Sequence, residues 1–134
     1  MNAADTSVAV AAFASWHERH DAALEALSGG SRLITHVALE TYAVLTRLPP
    51  PHRAPPALVV EFLERSFREA PISLPPGKHR DLVARAAASG TTGGAVYDAL
   101  IAAAAAHAGA TLLTLDRRAL AVYERFGAQV RSLA

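Results

Sequence analysis

Gly93-Gly94-Ala95-Val96-Tyr97-Asp98-Ala99-Leu100-Ile101-Ala102-Ala103, followed after Gly109 by Ala110-Thr111-Leu112-Leu113-Thr114-Leu115-Asp116, decides the fold. Its periodicity predicts a helix with an aspartate in the first turn, a glycine stop, and a buried strand that ends on a second aspartate. Both carboxylates then face one edge of a sheet. In open α/β sheets ligands collect at the carboxyl ends of the strands, so a cation is expected beside Asp98 and Asp116.

The rest of the chain repeats this placement. Ala3-Ala4-Asp5-Thr6-Ser7 reads as a short strand ending in Asp-Thr-Ser, with a helical pattern from Val8 onward. Asp5 therefore stands at a strand-to-helix junction, where capping of free backbone N–H groups is an equally ordinary role for it. Arg32-Leu33-Ile34-Thr35 reads as a second strand and His36 to Leu48 as a helix. Glu40, among Val37, Ala43 and Val44, points from a largely apolar face; such a charge calls for a partner, a metal, or a rim position open to water.

The remaining segments complete an alternating pattern. A helix is expected over His20 to Leu27 with Leu24 and Leu27 inward, stopped at Gly29-Gly30. Pro49-Pro50-Pro51 and Pro55-Pro56 make a stiff surface connection, and Ala57 to Arg68 restarts a helix rich in apolar residues, a candidate dimer contact as well as core. Ile72-Ser73-Leu74, between Pro71 and Pro75, reads as a short edge strand. Lys78 to Ser89 reads as a helix packing through Leu82, Val83, Ala86 and Ala87. Thr91-Thr92-Gly93-Gly94 is expected to cap the Asp98 helix, Arg117 to Phe126 to form a last helix, and Ala128-Gln129-Val130 a final strand. The expected fold is α/β, three layers α/β/α around a central mostly parallel sheet of about five strands, in one domain spanning residues 1–134.

Composition narrows the chemistry. There is no cysteine, which excludes disulfides and thiolate metal sites and gives no sign of secretion. The N-terminus lacks the basic start and long apolar run of a signal peptide, so a cytoplasmic location is expected. The longest apolar segment, Ala99 to Leu115, is interrupted by His107 and Gly109 and falls short of the roughly 20 residues a membrane helix needs. Thirteen Lys and Arg against 12 Asp and Glu leave a net charge of +1, so any attraction for nucleic acid must come from local basic groups. His17 and His20 stand three apart on one helical face without a third ligand nearby, and read as ordinary histidines.

Each acid has an ordinary reading, and Asp116, like Asp5, has that of a helix cap. Four caps converging on one sheet edge is less economical than one acidic pocket. Gathered carboxylates repel, and a cation would offset that. Oxygen donors without cysteine favour Mg²⁺ or Mn²⁺ over Zn²⁺. With no glycine-rich phosphate loop, no Ser-His-Asp signature and no zinc-protease motif, metal-assisted phosphodiester hydrolysis remains. Arg47 and Arg117, each following an acid motif, are the candidate contacts for the substrate's phosphates.

Asp5-Thr6-Ser7, the Thr35 to Arg47 segment with Glu40, Tyr97 to Ala105 with Asp98, and Leu113-Thr114-Leu115-Asp116-Arg117-Arg118 resemble the acidic motifs of PIN-domain ribonucleases, and within them the VapC-type toxins of bacterial toxin–antitoxin pairs. The likeness runs nearly end to end; Asn2-Ala3-Ala4 is less apolar than the first strand usual in that family. It implies an Mg²⁺-dependent endoribonuclease, a homodimer, an RNA substrate and inhibition by a small VapB-type antitoxin. It also implies that Asp5 and Asp98 are the main metal ligands, that Glu40 and Asp116 complete the pocket, and that Thr114 lies beside it. A housekeeping PIN nuclease of RNA processing and a non-catalytic binding module are the alternatives. With no histidine placed by any motif as a general base, the expected nucleophile is water rather than the ribose 2′-OH.

Overall fold

The computed structural model describes residues 1–134. In chain order the elements are β1 (Asn2–Ala4), α1 (Thr6–Phe13), α2 (His20–Ser28), β2 (Arg32–Leu33), α3 (Thr35–Arg47), α4 (Pro56–Ser66), α5 (Pro76–Ser89), α6 (Ala95–Ala108), β3 (Thr111–Thr114), a 3₁₀ turn (Arg117–Ala119), α7 (Leu120–Arg125) and β4 (Gln129–Ser132). The strands form one parallel sheet in the order β2-β1-β3-β4. No helix is long and apolar enough to cross a membrane.

The alternation of side chains along the short strands creates two cores. Ala3 of β1 and Leu112 of β3 face one side and pack with Ile34, Val37, Ile101, Ala102 and Phe126. The next residue on each strand, Ala4 and Leu113, faces the other side and packs with Val8, Ala11, Ala23, Leu27 and Phe67. Helices α5, α6 and α7 thus cover one face and α1 and α2 the other, giving the α/β/α sandwich. A small third cluster, Leu45, Ala54 and Val59, joins α3 to α4.

Four strands are present instead of about five. Ile72 makes a single parallel bridge to Ile34, its N–H donating to the Leu33 carbonyl at 2.8 Å and its carbonyl accepting from the Thr35 N–H at 2.9 Å. Pro71 and Pro75 bracket it, and without their N–H groups the pairing goes no further. β1 ends at Ala4, one residue before Asp5, and Thr6 and Ser7 belong to the first turn of α1. Leu24 and Val83 are exposed, 43% and 64%, because Ala23 with Leu27 and Leu82 with Ala86 define the buried stripes of α2 and α5, and the neighbouring residue lies about 100° round the helix. Ala87 is likewise exposed. On α4, Val59 is buried and Phe62 and Leu63 pack against the cores, while Leu58 and Val60 face out.

Helix α6 is the spine of the larger core. Ala99, Ala102, Ala104 and Ala105 are all essentially inaccessible. Their methyl groups let the helix lie close against the sheet. Gly109, at φ +69°, ends it: the Gly109 N–H returns to the carbonyls of Ala105 and Ala106, and the chain turns directly into β3. Because Asp98 rides in the first turn of the same helix, the packing of these alanines also sets the position of that acid. Ala102→Leu is expected to cost about 1–3 kcal/mol by overpacking and to lower the denaturant midpoint. A midpoint equal to that of the wild type would show that α6 does not rest tightly on the sheet.

Candidate functional site

The sheet order places β1 between β2 and β3, so the chain leaves β1 to one side and later returns on the other. The C-terminal end of β1 is therefore the point where ligands of open α/β sheets bind. Asp5 stands there. β2 leads into α3 and Glu40, β3 ends at Thr114 just before Asp116, and α6 brings Asp98 in its first turn. Asp5, Glu40, Asp98 and Asp116 line one cavity of about 830 Å³.

Asp5 is 1% exposed and caps α1, accepting from the Val8 N–H at 3.1 Å. Capping and convergence are thus both realised in one side chain. Its Oδ1 also accepts from Ser7 Oγ at 2.5 Å, and its Oδ2 accepts from Thr114 Oγ1 at 2.5 Å and Tyr123 OH at 2.9 Å. Burial raises the Asp5 pKa, and the Ser7, Thr114, Val8 and Tyr123 donors pull it back toward the charged form. The Tyr123 hydroxyl, buried and facing that charge, is held well above its ordinary range and remains a donor.

The other acids are more open. Glu40 accepts from Thr6 Oγ1 at 3.3 Å, and its Oε1 lies 2.7 Å from His36 Nε2. That approach makes no hydrogen bond; it sets the imidazole against the carboxylate. The His36 ring stacks on Tyr97, centroids 5.2 Å apart and 4° from coplanar, so α3 and α6 are joined beside two of the acids. Asp116 caps the 3₁₀ turn, accepting from the Arg118 N–H at 2.9 Å. Half-buried Asp98 has its pKa raised from 3.8 to about 6, by burial first and then by the charges of Glu40, Asp116 and Asp5. Those repulsions come from Glu40, Asp116 and Asp5 and not from Glu18, the fifth acid on the wall.

Thr114 lies behind this wall, wholly buried, with Oγ1 donating to Asp5 and accepting from the Asp116 N–H at 2.9 Å. Arg117 lines the cavity; Arg47, exposed at the end of α3, does not, although Val44 one turn earlier does. Arg19 and Arg118 join Arg117 on the wall. Sequence reasoning passes over Arg19 and Tyr123, and names Arg118 and Ser7 only within motifs without a role; Ser7 Oγ also accepts from the Leu115 N–H at 2.8 Å. It also places no histidine at the site, whereas His17 reaches the cavity wall and His36 touches Glu40. His20 is engaged by the Ala11 carbonyl. Thr91 and Thr92 do not cap α6, whose cap is Gly94 without a side-chain bond; Thr91 is held by Ser89 and Arg125.

The donor set fits a hard divalent ion. It consists of carboxylate oxygens with surplus negative charge in a half-buried cavity, and a cation offsets that charge. No three carboxylate or imidazole side chains close on a single point as they stand. Magnesium does not demand such a cage, since it keeps several waters and is commonly held by one or two carboxylates.

The PIN domain family model matches residues 3–125. The chain belongs to the PIN domain family. Asp5, Glu40, Asp98 and Asp116, and with them Glu18, a fifth acid on the cavity wall, all lie inside the matched span. This PIN domain is 50% identical over 130 residues to ribonuclease VapC40 of Mycobacterium tuberculosis, in strains CDC 1551 / Oshkosh and ATCC 25618 / H37Rv, covering 97% of this chain and 97% of each relative. It is 40% identical over 129 residues to ribonuclease VapC27 of Mycobacterium tuberculosis strain ATCC 25618 / H37Rv, covering 96% of this chain and 93% of that one.

The raised Asp98 pKa makes a stability prediction. Folding disfavours the charged form of this PIN domain's Asp98, so in chelator stability falls as pH rises from 3.8 through about 6 and stays lower above that. Asp98→Asn removes the penalty. At pH 7 in chelator the variant is expected to be more stable than the wild type by about 1 kcal/mol, below the full linkage value because solvent screens a half-buried group, with the difference vanishing near pH 4. Thermal melts of both proteins across that range check it; a variant less stable at pH 7 contradicts the repulsion.

Proposed function

We propose that this protein is a Mg²⁺- or Mn²⁺-dependent endoribonuclease, the toxin of a toxin–antitoxin pair neutralised by a VapB-type antitoxin. It acts as a homodimer of single-domain chains, residues 1–134, in the cytoplasm. The observation that carries the reading is the gathering of Asp5, Glu40, Asp98 and Asp116 around one cavity at the carboxyl edge of a parallel sheet. The ribonuclease names of the VapC40 and VapC27 relatives, at high identity over nearly the whole chain, support the choice of RNA and of a toxin.

In this mechanism Asp5 and Asp98 would hold the ion, and Glu40 and Asp116 would complete its pocket, directly or through waters. Thr114 steadies Asp5 and the backbone leading to Asp116. When bound there, such an ion would neutralise charge at the phosphoryl oxygens and lower the pKa of water. Arg117, with Arg19 and Arg118, meets the phosphates at the cavity, and Arg47 meets one further along the strand. His36 Nε2 lies 2.7 Å from Glu40 Oε1, and His17 Nδ1 already accepts from the Arg19 N–H at 3.0 Å. In-line attack by water with departure of the 3′ oxygen leaves a 5′-phosphate and a 3′-hydroxyl.

Incubating the protein with RNA, with Mg²⁺ or with chelator, tests this directly. Asp98→Asn is expected to lose more than about 100-fold in cleavage, beyond what losing a hydrogen-bond partner of a metal ligand costs, and the wild type to leave 5′-phosphates. Cyclic 2′,3′-phosphates, or cleavage unchanged in chelator, would overturn the mechanism. A separate measurement concerns capture: Arg117→Ala is expected to weaken RNA binding at every sequence and to reduce the salt slope by about one, with a smaller loss for Arg47→Ala. If neither variant changes the slope, the RNA crosses another face.

A further inference from the structure

Tyr123 presents a polar atom that packing does not explain. Its ring is 2% exposed and belongs to the larger core with Ala119 and Phe126. A phenylalanine would fill the same space without desolvating a phenol. The hydroxyl has one partner, Asp5 Oδ2, at 2.9 Å, and the ring borders the acidic cavity.

The donors to Asp5 divide into two kinds. Ser7 and Val8 serve Oδ1 from within three residues and so move with the start of α1. Thr114 and Tyr123 serve Oδ2 from 109 and 118 residues away. Only this second pair ties the plane of the carboxylate to the sheet and to the opposite helical layer. Thr114 Oγ1 is shared with the Asp116 N–H, whereas the Tyr123 hydroxyl is not shared. A carboxylate pinned at both oxygens has lost its rotation about Cβ–Cγ before any ion arrives, and that preorganisation strengthens ion binding.

We infer that Tyr123 is a positioning residue for the divalent-ion site, its hydroxyl fixing the Asp5 carboxylate in the orientation that faces the cavity. This rests on the metal-dependent reading above. It assigns α7, which contributes none of the four acids, a direct part in ion affinity.

Mn²⁺ binding to the full chain without RNA, read by titration calorimetry, tests the inference apart from catalysis. Tyr123→Phe is expected to raise the Mn²⁺ Kd about tenfold, the low end for loss of a hydrogen-bond partner of a metal ligand. Phe126→Leu loosens the same helix and the same core, and is expected to leave the Kd unchanged. A Kd unaltered or tightened in Tyr123→Phe overturns the inference, as does an equal weakening in both variants. A wild type that binds no Mn²⁺ overturns the metal-dependent reading and this inference with it, and is distinguished by failing before any variant is compared. Should Tyr123→Phe not fold, wild-type protein carrying 3-fluorotyrosine answers the question. Of its three tyrosines only Tyr123 is buried, and its fluorine resonance should shift when Mg²⁺ is added; an unmoved resonance rejects the role.

Discussion

A carboxylate buried at the end of the central strand is the constraint on which this structure depends. Asp5 is 1% exposed, at a place where an unpaired charge would not be tolerated. Three oxygen donors and one backbone N–H surround it, drawn from α1, β3 and α7. Those bonds hold together elements at both ends of the chain: the Asp5 N–H donates to the Leu113 carbonyl at 3.0 Å, continuing the pairing of β1 with β3, and the side chain then ties β3 and α7 to the same point. A residue that caps a helix in most proteins here also closes the fold around the site.

The site works against the fold that carries it. The Asp98 pKa is held up by burial and by Glu40, Asp116 and Asp5, so the folded protein without a cation bears a repulsion that the unfolded chain avoids. The compensation lies beneath it. Ala99, Ala102, Ala104 and Ala105 of α6 pack with no accessible surface to spare, and the two cores alternate strictly across β1 and β3. Such packing lets the fold tolerate crowded charge at one edge, a common arrangement where activity and stability oppose each other.

The net charge of +1 supplies no global attraction for a polyanion, and basic groups gather locally at the cavity. Arg19, Arg117 and Arg118 stand on the wall shared with the acids. The arrangement separates two tasks by sign. In the proposed function the positive groups would meet phosphates and the negative groups would hold the ion.

What the sequence determined by itself is whatever local spacing encodes. The 3.6-residue pattern, the glycine after Ala108 and the short apolar run from Thr111 made α6 and β3 legible, and with them the acids at strand ends and helix starts; the absence of cysteine excluded thiolate chemistry. Boundaries held to within a residue or two, while Leu24 and Val83 were misplaced because two adjacent apolar residues cannot both lie on a narrow buried stripe and spacing alone does not say which one does. Only the tertiary structure decided which groups from distant segments meet: Tyr123 with Asp5 across 118 residues, His36 with Tyr97, Arg19 on the cavity wall instead of Arg47, and Ile72 as one bridge rather than a strand. Those meetings follow from the strand order β2-β1-β3-β4 and from the depth at which each helix lies on the sheet. Both are set by packing over the whole chain, and no local window of residues records them.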